Sequence, residues 1–524
     1  MAVGGQELLF EEAVENIDGI FQLGDFSGKQ TIEQPVSLYA LTVAEELYNR
    51  LTAAMESIQT TSINIQDLAL SCAEDADGLN MVRDAFTLAL NNNPDFFYVQ
   101  GGFSYMRTGS YIMVSVTLKY VDDSRAAILA LRQEYENELR KMLNTAVPPS
   151  QRATMTQTEL ALALHDIIVL QSRYNTDALD ILDAGGTPRD TYPNMYNAYG
   201  TVVEKHAVCQ SYALAYMDLL KRVDIVSKYV SSAAMNHGWN LVKIEDLPGE
   251  SEPVWFHVDA TWNDPIFTAS PDNNRDMSGY ACHRYFMRSD EEITAYGTGG
   301  DHYGYATDIL PAALLPHPNT GFWENVESGM FYHDGLWHYN DYTFNQGGFV
   351  CGELCTSPYG VDLAGSSLSD PASYMQRDRN KLYYYKQNTY SDRNGALYYY
   401  NLETKTEERL LDIEPGYYVS ELYALNRNLT YVAQRINDPA QRELRSISLV
   451  MLGDTLYGDA NGDDKVDLSD ALLICNYAAG RLTLSSEQLL AADVNGDDRV
   501  MLDDSLLICN YVAGRFERFP VEIT

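Results

Sequence analysis

His206-Ala207-Val208-Cys209-Gln210-Ser211-Tyr212-Ala213 is the stretch on which the reading of this chain turns. Its cysteine stands at a turn just ahead of an apolar, helix-periodic run, Tyr212 to Leu220. A thiol at a helix N-terminus faces unpaired backbone N–H groups and the positive end of the helix dipole, which favours thiolate. Two further strings follow, Asn236-His237-Gly238-Trp239-Asn240 and Trp255-Phe256-His257-Val258-Asp259-Ala260-Thr261-Trp262. Val, Ile, Trp and Phe around the turn Leu247-Pro248-Gly249-Glu250 predict that these are neighbouring strands. A histidine on one strand and an aspartate on the next can then line up beside the cysteine, supplying nucleophile, base and orienting group. Singly, each string has a plainer reading: a cysteine before an apolar helix is usually a small buried hydrophobe, and His-x-Trp in a strand is usually packing. Together and in order they predict a triad of Cys209, His237 and Asp259.

The strings "VCQSYA", "HGWN" and "HVDATWNDP", in that order, resemble the bacterial transglutaminase-like superfamily of papain-type cysteine enzymes. The resemblance implies a thiolate at Cys209, a base at His237, an orienting carboxylate at Asp259 and a papain/transglutaminase-like core. Two positions depart from the family pattern: Ser211 stands where glycine commonly follows "CQ", and Gly238 where alanine is common in "HAWN". The family uses the cysteine N–H and a nearby donor for its oxyanion, and Tyr199 in the "AYG" just upstream is the candidate for that donor. His206 and His257 are rivals for the base. His257 lies two residues from Asp259 on the expected strand and is read as a supporting residue behind the triad.

The C-terminal stretch carries a duplication. Asp459-Ala460-Asn461-Gly462-Asp463 and Asp493-Val494-Asn495-Gly496-Asp497 each open a loop that runs to a carboxylate at its twelfth position, Asp470 or Asp504. A helix follows each loop, "ALLICNYAAGR" or "SLLICNYVAGR". Side-chain oxygens at loop positions one, three, five and twelve, with a backbone carbonyl at seven, are what Ca²⁺ requires. Asp459, Asn461, Asp463, Lys465 (main chain) and Asp470 form the first ligand set; Asp493, Asn495, Asp497, Arg499 (main chain) and Asp504 form the second. Two Ca²⁺ ions are expected. The doubled loop-and-helix unit, Tyr457 to Arg515, looks like a type I dockerin, the module that plugs enzymes into cellulosome scaffolds by gripping a cohesin. Position six departs from the family, since Asp464 and Asp498 stand where glycine is usual. The resemblance implies cohesin contacts at Leu468, Ser469, Cys475 and Asn476 in the first copy, and at Leu502, Asp503, Cys509 and Asn510 in the second. Docking in two orientations would follow from the near-symmetry.

Between these landmarks the chain reads as α+β. At 524 residues it is too long for one core. Residues 1–150 are expected to be a helical and mixed region, with helices over Leu38–Gln59, Gly78–Asn91 and Ser124–Leu143 and a strand over Tyr111–Val121. Residues 151–305 hold the core, opened by a helix from Thr158 to Asn175 on which His165 is a satisfied interior histidine. A segment beginning near Met277 resembles the strand that ends such cores. Residues 306–455 are tyrosine-rich, with Asp-Gly and Asn-Gly turns between alternating runs, which predicts an aromatic antiparallel β domain. Its tyrosines are read as cross-strand packing, with carbohydrate or peptide binding as the alternative. Residues 456–524 are the dockerin.

Composition narrows the partners. Net charge is −38, with 74 acidic against 36 basic residues and no Lys/Arg cluster, so nucleic acid and anionic membranes are poor partners. There is no apolar run long enough to span a membrane. Seven scattered cysteines argue against a disulfide framework, though Cys351 and Cys355 could bridge a small loop. The N-terminus shows no export signal; with a dockerin at the other end, the expectation is a mature extracellular or cell-surface chain whose signal has been removed. The functional expectation is a secreted Cys-His-Asp enzyme acting on a peptide or glutaminyl amide of a protein or peptide substrate. An acidic chain without an evident amine site leans toward hydrolysis. The alternative is an inactive subunit that keeps the fold alone.

Overall fold

The structure is a computed structural model. It describes residues 8–11, 38–73, 77–267, 275–276, 279–295, 302–307, 310–316, 323, 326, 328–344, 350–358, 366–387, 393–425, 428–449, 456–463, 465–497, 499–516 and 519–522. The chain divides into two compact units. The first takes residues 1–136, 172–263 and 284–320, and the second takes 137–171, 264–283 and 321–524.

In the first unit, helices Leu38–Glu56 and Gly78–Asn92 accompany an antiparallel sheet whose order is Leu8–Glu11, Val99–Thr108, Met113–Tyr120, Ile63–Asn64. Leu47, Leu51 and Met55 recur at helical spacing and are fully buried, as are Val82, Phe86 and Ala89 on the second helix. The helix Cys209–Lys221 is different: every residue from Gln210 to Leu220 is buried. Apolar side chains on all faces make it an interior helix. It lies on an antiparallel sheet of Ser227–Ser232, His237–Ile244 and Val254–Val258. Asn240 in the central strand donates its amide to the Ala213 carbonyl at 3.0 Å, tying sheet to helix. The segment expected to close the core as a strand does not form one. Arg288 makes a single bridge to His257, and the helix Asp290–Ala295 follows. Ser289 explains that outcome, because it caps the helix by hydrogen-bonding reciprocally with Glu292.

In the second unit, the helix Gln157–Gln171 is buried from Thr158 to Leu170. Seven antiparallel strands from Phe331–His333 to Thr406–Asp412 pair in sequence order, and three more, Tyr417–Leu425, Asn428–Arg435 and Asp438–Ser448, form a second sheet. The strand Lys381–Gln387 shows why tyrosines crowd here. Tyr383 and Tyr385 pack with Tyr399, Tyr418 and Leu422, while Leu382 and Tyr384 face the other way onto Leu170, Phe331 and Met375. Both faces of the strand are covered, so it reads as a continuous run rather than an alternation. Tyr383 and Tyr399 stand opposite each other across the strands, with ring centroids 5.9 Å apart. Cys351 and Cys355 lie in one strand, Val350–Pro358. Four residues of strand separate their Cα atoms by about 13 Å, beyond the reach of a disulfide, so the bridged loop is corrected. The unit ends in helices Leu468–Ala478, Ser486–Ala492 and Leu502–Val512 around Ile474, Val494, Ile508 and Phe519.

Candidate functional site

Cys209 is the first residue of its helix and is half-buried. His237 opens its strand, and Asp259 directly follows the neighbouring strand. His237 Nε2 donates to Asp259 Oδ2 at 2.6 Å, and its side chain also hydrogen-bonds Cys209. The structure thus brings the three expected residues together. Burial alone would lower the His237 pKa, but the charges of Asp259 and Cys209 outweigh it and push the imidazole up to about 10. Burial likewise opposes ionisation of Asp259, yet the His237 charge and imidazole hydrogen bonds hold its carboxyl well below the usual range. Backbone N–H groups of Thr261 and Trp262 donate to Asp259 Oδ1 at 3.0 and 3.1 Å, completing its coordination.

Ser211 and Gly238 each have a local structural reason. Ser211 accepts from the Thr201 N–H at 3.0 Å and lies 2.7 Å from the Thr201 hydroxyl, pinning the helix to the π-helical turn Gly200–Glu204. At Gly238 an added Cβ would sit 2.1 Å from the Tyr229 hydroxyl, so alanine has no room there. His257 accepts from Trp239 Nε1 at 2.9 Å and donates to Asp290 at 2.9 Å. Trp239 in turn stacks on His237, with centroids 5.7 Å apart and rings 20° from parallel. His257 therefore supports the base through an indole. His206 packs edge-on against Tyr192, and burial lowers its pKa. Tyr199 is corrected: its hydroxyl donates to Glu134 at 2.7 Å and its ring lies on Phe97, so that donor is committed elsewhere. His165 is fully buried and bonded to Asp166 at 2.7 Å.

One residue escaped the sequence reading. His302 is fully buried and its Nε2 donates to Asp259 Oδ2 at 2.8 Å, so one carboxylate oxygen bridges two imidazoles. Its ring lies 4.5 Å from Trp262 and 4.7 Å from Trp239. The flanking "GTGGDHYGY" carries no periodicity that could have marked it. His237, Asp259 and His302 could together hold an imidazole-seeking metal ion, whose binding would replace the two bridging protons. A second grouping, His165, Asp166 and His283, is already bonded among itself and to the Val326 carbonyl and the Met330 N–H.

The duplicated loops are built alike. Asp459 Oδ1 accepts the N–H groups of Gly462 and Asp463 at 2.8 and 2.9 Å, and Asp493 Oδ1 accepts those of Gly496 and Asp497 at 2.9 and 3.1 Å. Gly462 and Gly496 both turn at φ 76°, which favours glycine at the fourth loop position. Position six, Asp464 or Asp498, lies outside the described residues. Asp470 and Asp504 are fully buried, and each accepts backbone N–H groups with both oxygens. Burial and the neighbouring Asp463 and Asp467 push Asp470 up to about 6, and Asp504 is raised in the same sense. Carboxylates concentrated this way suit a bound divalent cation, and the oxygen-only donor set suits Ca²⁺. The loops differ in surroundings. Arg140 pairs with Asp463 at 3.1 Å and Asn144 donates to the Asp463 carbonyl, whereas Asp497 is exposed.

The family model for the dockerin type I domain matches residues 457–513. This C-terminal segment belongs to the type I dockerins. Among solved structures it is similar to the ScaB dockerin of Acetivibrio cellulolyticus in complex with the third cohesin ScaC, mutated in the N-terminal helix. That match has 36% identity over 14% of this chain and 100% of that chain, with a TM-score of 0.13. The same complex mutated in the C-terminal helix matches at 38% identity over 13% of this chain and 94% of that chain, also with a TM-score of 0.13. A structure described as a TGase aligns at 9% identity over 33% of this chain and 48% of its own, with a TM-score of 0.22. No curated protein matches the chain. Among the described residues, no helix is long and apolar enough to cross a membrane.

On the dockerin surface, Leu468, Leu472, Leu502 and Leu506 are each about 60% exposed, forming equivalent apolar patches on the two copies. Leu472 and Leu506 were not anticipated, although each lies one helical turn beyond an expected contact. Ser469 and Asp503 are exposed beside them. Cys475 and Cys509 are half-buried. Cys475 Sγ lies 3.2 Å from the Ser505 hydroxyl, and Cys509 packs on the dockerin core. Asn476 and Asn510 are half-buried and accept from Arg481 and Arg515 at 3.4 and 2.7 Å.

Proposed function

We propose that the chain is an extracellular cysteine enzyme of the transglutaminase-like type, tethered by its dockerin to a cohesin-bearing scaffold at or beyond the cell surface. The observation that carries the enzymatic part is His237 bonded at once to Cys209 and Asp259, with its pKa pushed up to about 10. A protonated imidazole beside the sulfur is the charge distribution that supports a thiolate nucleophile at neutral pH. The Cys209 sulfur attacks a peptide or glutaminyl carbonyl carbon, forming a C–S bond. The tetrahedral intermediate collapses as the C–N bond breaks and His237 gives its proton to the leaving amine. Water then attacks the thioester, His237 takes its proton, and the C–S bond breaks to release acid; an amine in place of water would give cross-linking. Asp259 keeps Nε2 of His237 protonated and its ring aimed at the sulfur.

The tether is supported by membership of the type I dockerins and by the exposed leucine pairs. Ca²⁺ would be held by Asp459, Asn461, Asp463, Asp470 and the Lys465 carbonyl, and by Asp493, Asn495, Asp497, Asp504 and the Arg499 carbonyl. Its contribution is structural, neutralising crowded carboxylates so that the helices fold onto their small core. Cohesin contact is assigned to Leu468, Ser469 and Leu472 or their counterparts Leu502, Asp503 and Leu506. Two measurements test the proposal. Iodoacetamide at pH 6 should label Cys209 ahead of the other cysteines, and proteomic profiling should show amide products with wild type and not with Cys209→Ala. Equal labelling of every thiol would leave an inactive subunit of the complex as the reading.

A further inference from the structure

The first unit contains a cavity of about 420 Å³, within the range of roughly 300–1,000 Å³ typical of sites for small ligands. It is lined from one side by Gln210 and Leu214, which occupy one face of the Cys209 helix one turn apart. Phe96 and Phe97 supply an apolar wall. A further wall is Tyr196, which packs in the same cluster as Val208, the residue before Cys209. The Arg189 guanidinium lies 5.2 Å over the Tyr196 ring. The cavity is thus lined by the first two turns of the helix that carries the candidate nucleophile, through Gln210, the residue next to Cys209, and Leu214.

Its polarity is the reverse of the chain's. The chain has 74 acidic and 36 basic residues, yet the charged residues lining the cavity are Lys119 and Arg189, and no described Asp or Glu joins them. Gln210 is only 4% exposed and its Nε2 has no hydrogen-bond partner among the described residues. A buried amide donor left unmade costs about 1–3 kcal/mol, so this N–H favours an oxygen that enters the cavity.

We infer that this cavity is the subsite for an acidic peptide substrate, holding an apolar side chain against Phe96, Phe97 and Leu214 and a neighbouring Asp or Glu carboxylate at Lys119 and Arg189. The Gln210 amide donates to a carbonyl oxygen of the same peptide. That the ligand is a peptide rests on the acyl chemistry proposed above. The apolar wall and the cationic rim stand independently of it.

The test uses the full chain as Cys209→Ala, loaded with Ca²⁺, immobilised and exposed to a degenerate hexapeptide pool, with retained peptides sequenced by mass spectrometry. Asp and Glu should be enriched over Lys and Arg by about fivefold per cation engaged, the factor a partly exposed ion pair supplies. Apolar residues should be enriched at an adjacent position. Combining Lys119→Glu with Arg189→Glu should invert the charge preference. If thermal melting shows that the double variant does not fold, Lys119→Gln replaces it and should lower the acidic enrichment about fivefold. Retention without charge bias, a bias that survives inversion, or no retention overturns the subsite. Iodoacetamide labelling of wild-type Cys209 is scored separately. A reactive Cys209 without acidic enrichment sinks the subsite alone. Acidic enrichment beside an unreactive Cys209 supports the subsite and sinks the catalytic reading.

Discussion

Asp259 and Asp470 are both fully buried carboxylates, and their surroundings drive them in opposite directions. Asp259 meets two imidazoles from its own chain, His237 at 2.6 Å and His302 at 2.8 Å, and its pKa falls. At Asp470 burial, helped by the carboxylates of Asp463 and Asp467, outweighs the backbone N–H groups it accepts, and its pKa rises to about 6. One carboxylate is satisfied by imidazole N–H groups the chain itself supplies. The other gathers negative charge for a cation from outside. The difference separates a cluster that is complete within the chain from one whose carboxylates suit an added divalent cation.

Removing calcium should separate the two most completely. With a chelator, the full chain should lose dockerin helicity and cohesin binding should fall to background, because metal binding supplies folding free energy to a segment too small to hold together alone. Iodoacetamide labelling of Cys209 should be unchanged in the same sample. A dockerin whose helicity and scaffold binding ignore both chelator and added Ca²⁺ would erase the contrast.

Asp259→Asn attacks the other side. It should cost on the order of 10²–10⁴ in turnover while the thermal transition stays near wild type, since an amide no longer favours the imidazolium. Turnover at wild-type level would hand the orienting role to a different group.

A smaller effect is expected at His302, acting as a positioning residue through the shared carboxylate. His302→Phe fills the space but removes the donor to Asp259, and should lower turnover about tenfold, the worth of a hydrogen bond to a charged group. His302→Gln keeps a donor and should recover most of that loss. If His302→Phe keeps wild-type turnover while His302→Gln loses it, the ring serves packing alone.

The smallest effect is a pH dependence. His237 is raised, so its stabilising contribution is fully present below the ordinary histidine value near 6.5 and is lost as pH rises toward about 10. Asp259 is lowered, so its contribution is present above the ordinary carboxylate range and is lost as pH falls through its depressed value. The melting temperature of the first unit should therefore be flat from about 5 to 6.5 and decline toward pH 10. In His237→Gln the alkaline decline should disappear; its persistence would assign the titration to another group.

How much was legible follows from distance along the chain. Helix Cys209–Lys221 and the paired strands were readable from the sequence, and so was the meeting of Cys209, His237 and Asp259, from their three spaced strings. Tyr199 misled because nearness in sequence to Cys209 says nothing about a hydroxyl's direction, which Glu134 sets. That Cys475 and Cys509 are half-buried where the two copies pack could not be read from adjacent letters. His302 left no trace, since its partner is brought to it only by the fold.

The amino-acid sequence by itself determined what is closed within a few residues: the two duplicated acidic loops, whose carboxylates bind their own backbone N–H groups, and the alternation that makes strands. Those interactions need no distant partner, so their geometry is written in adjacent letters. Tertiary structure decided what lies between segments. It placed a second imidazole on Asp259, lined a cavity with Lys119 and Arg189 in an acidic chain, and gave equivalent aspartates unequal settings, with Asp463 buried against Arg140 and Asp497 exposed. Burial and pairing depend on which surfaces meet, and that is settled only when the whole chain has folded.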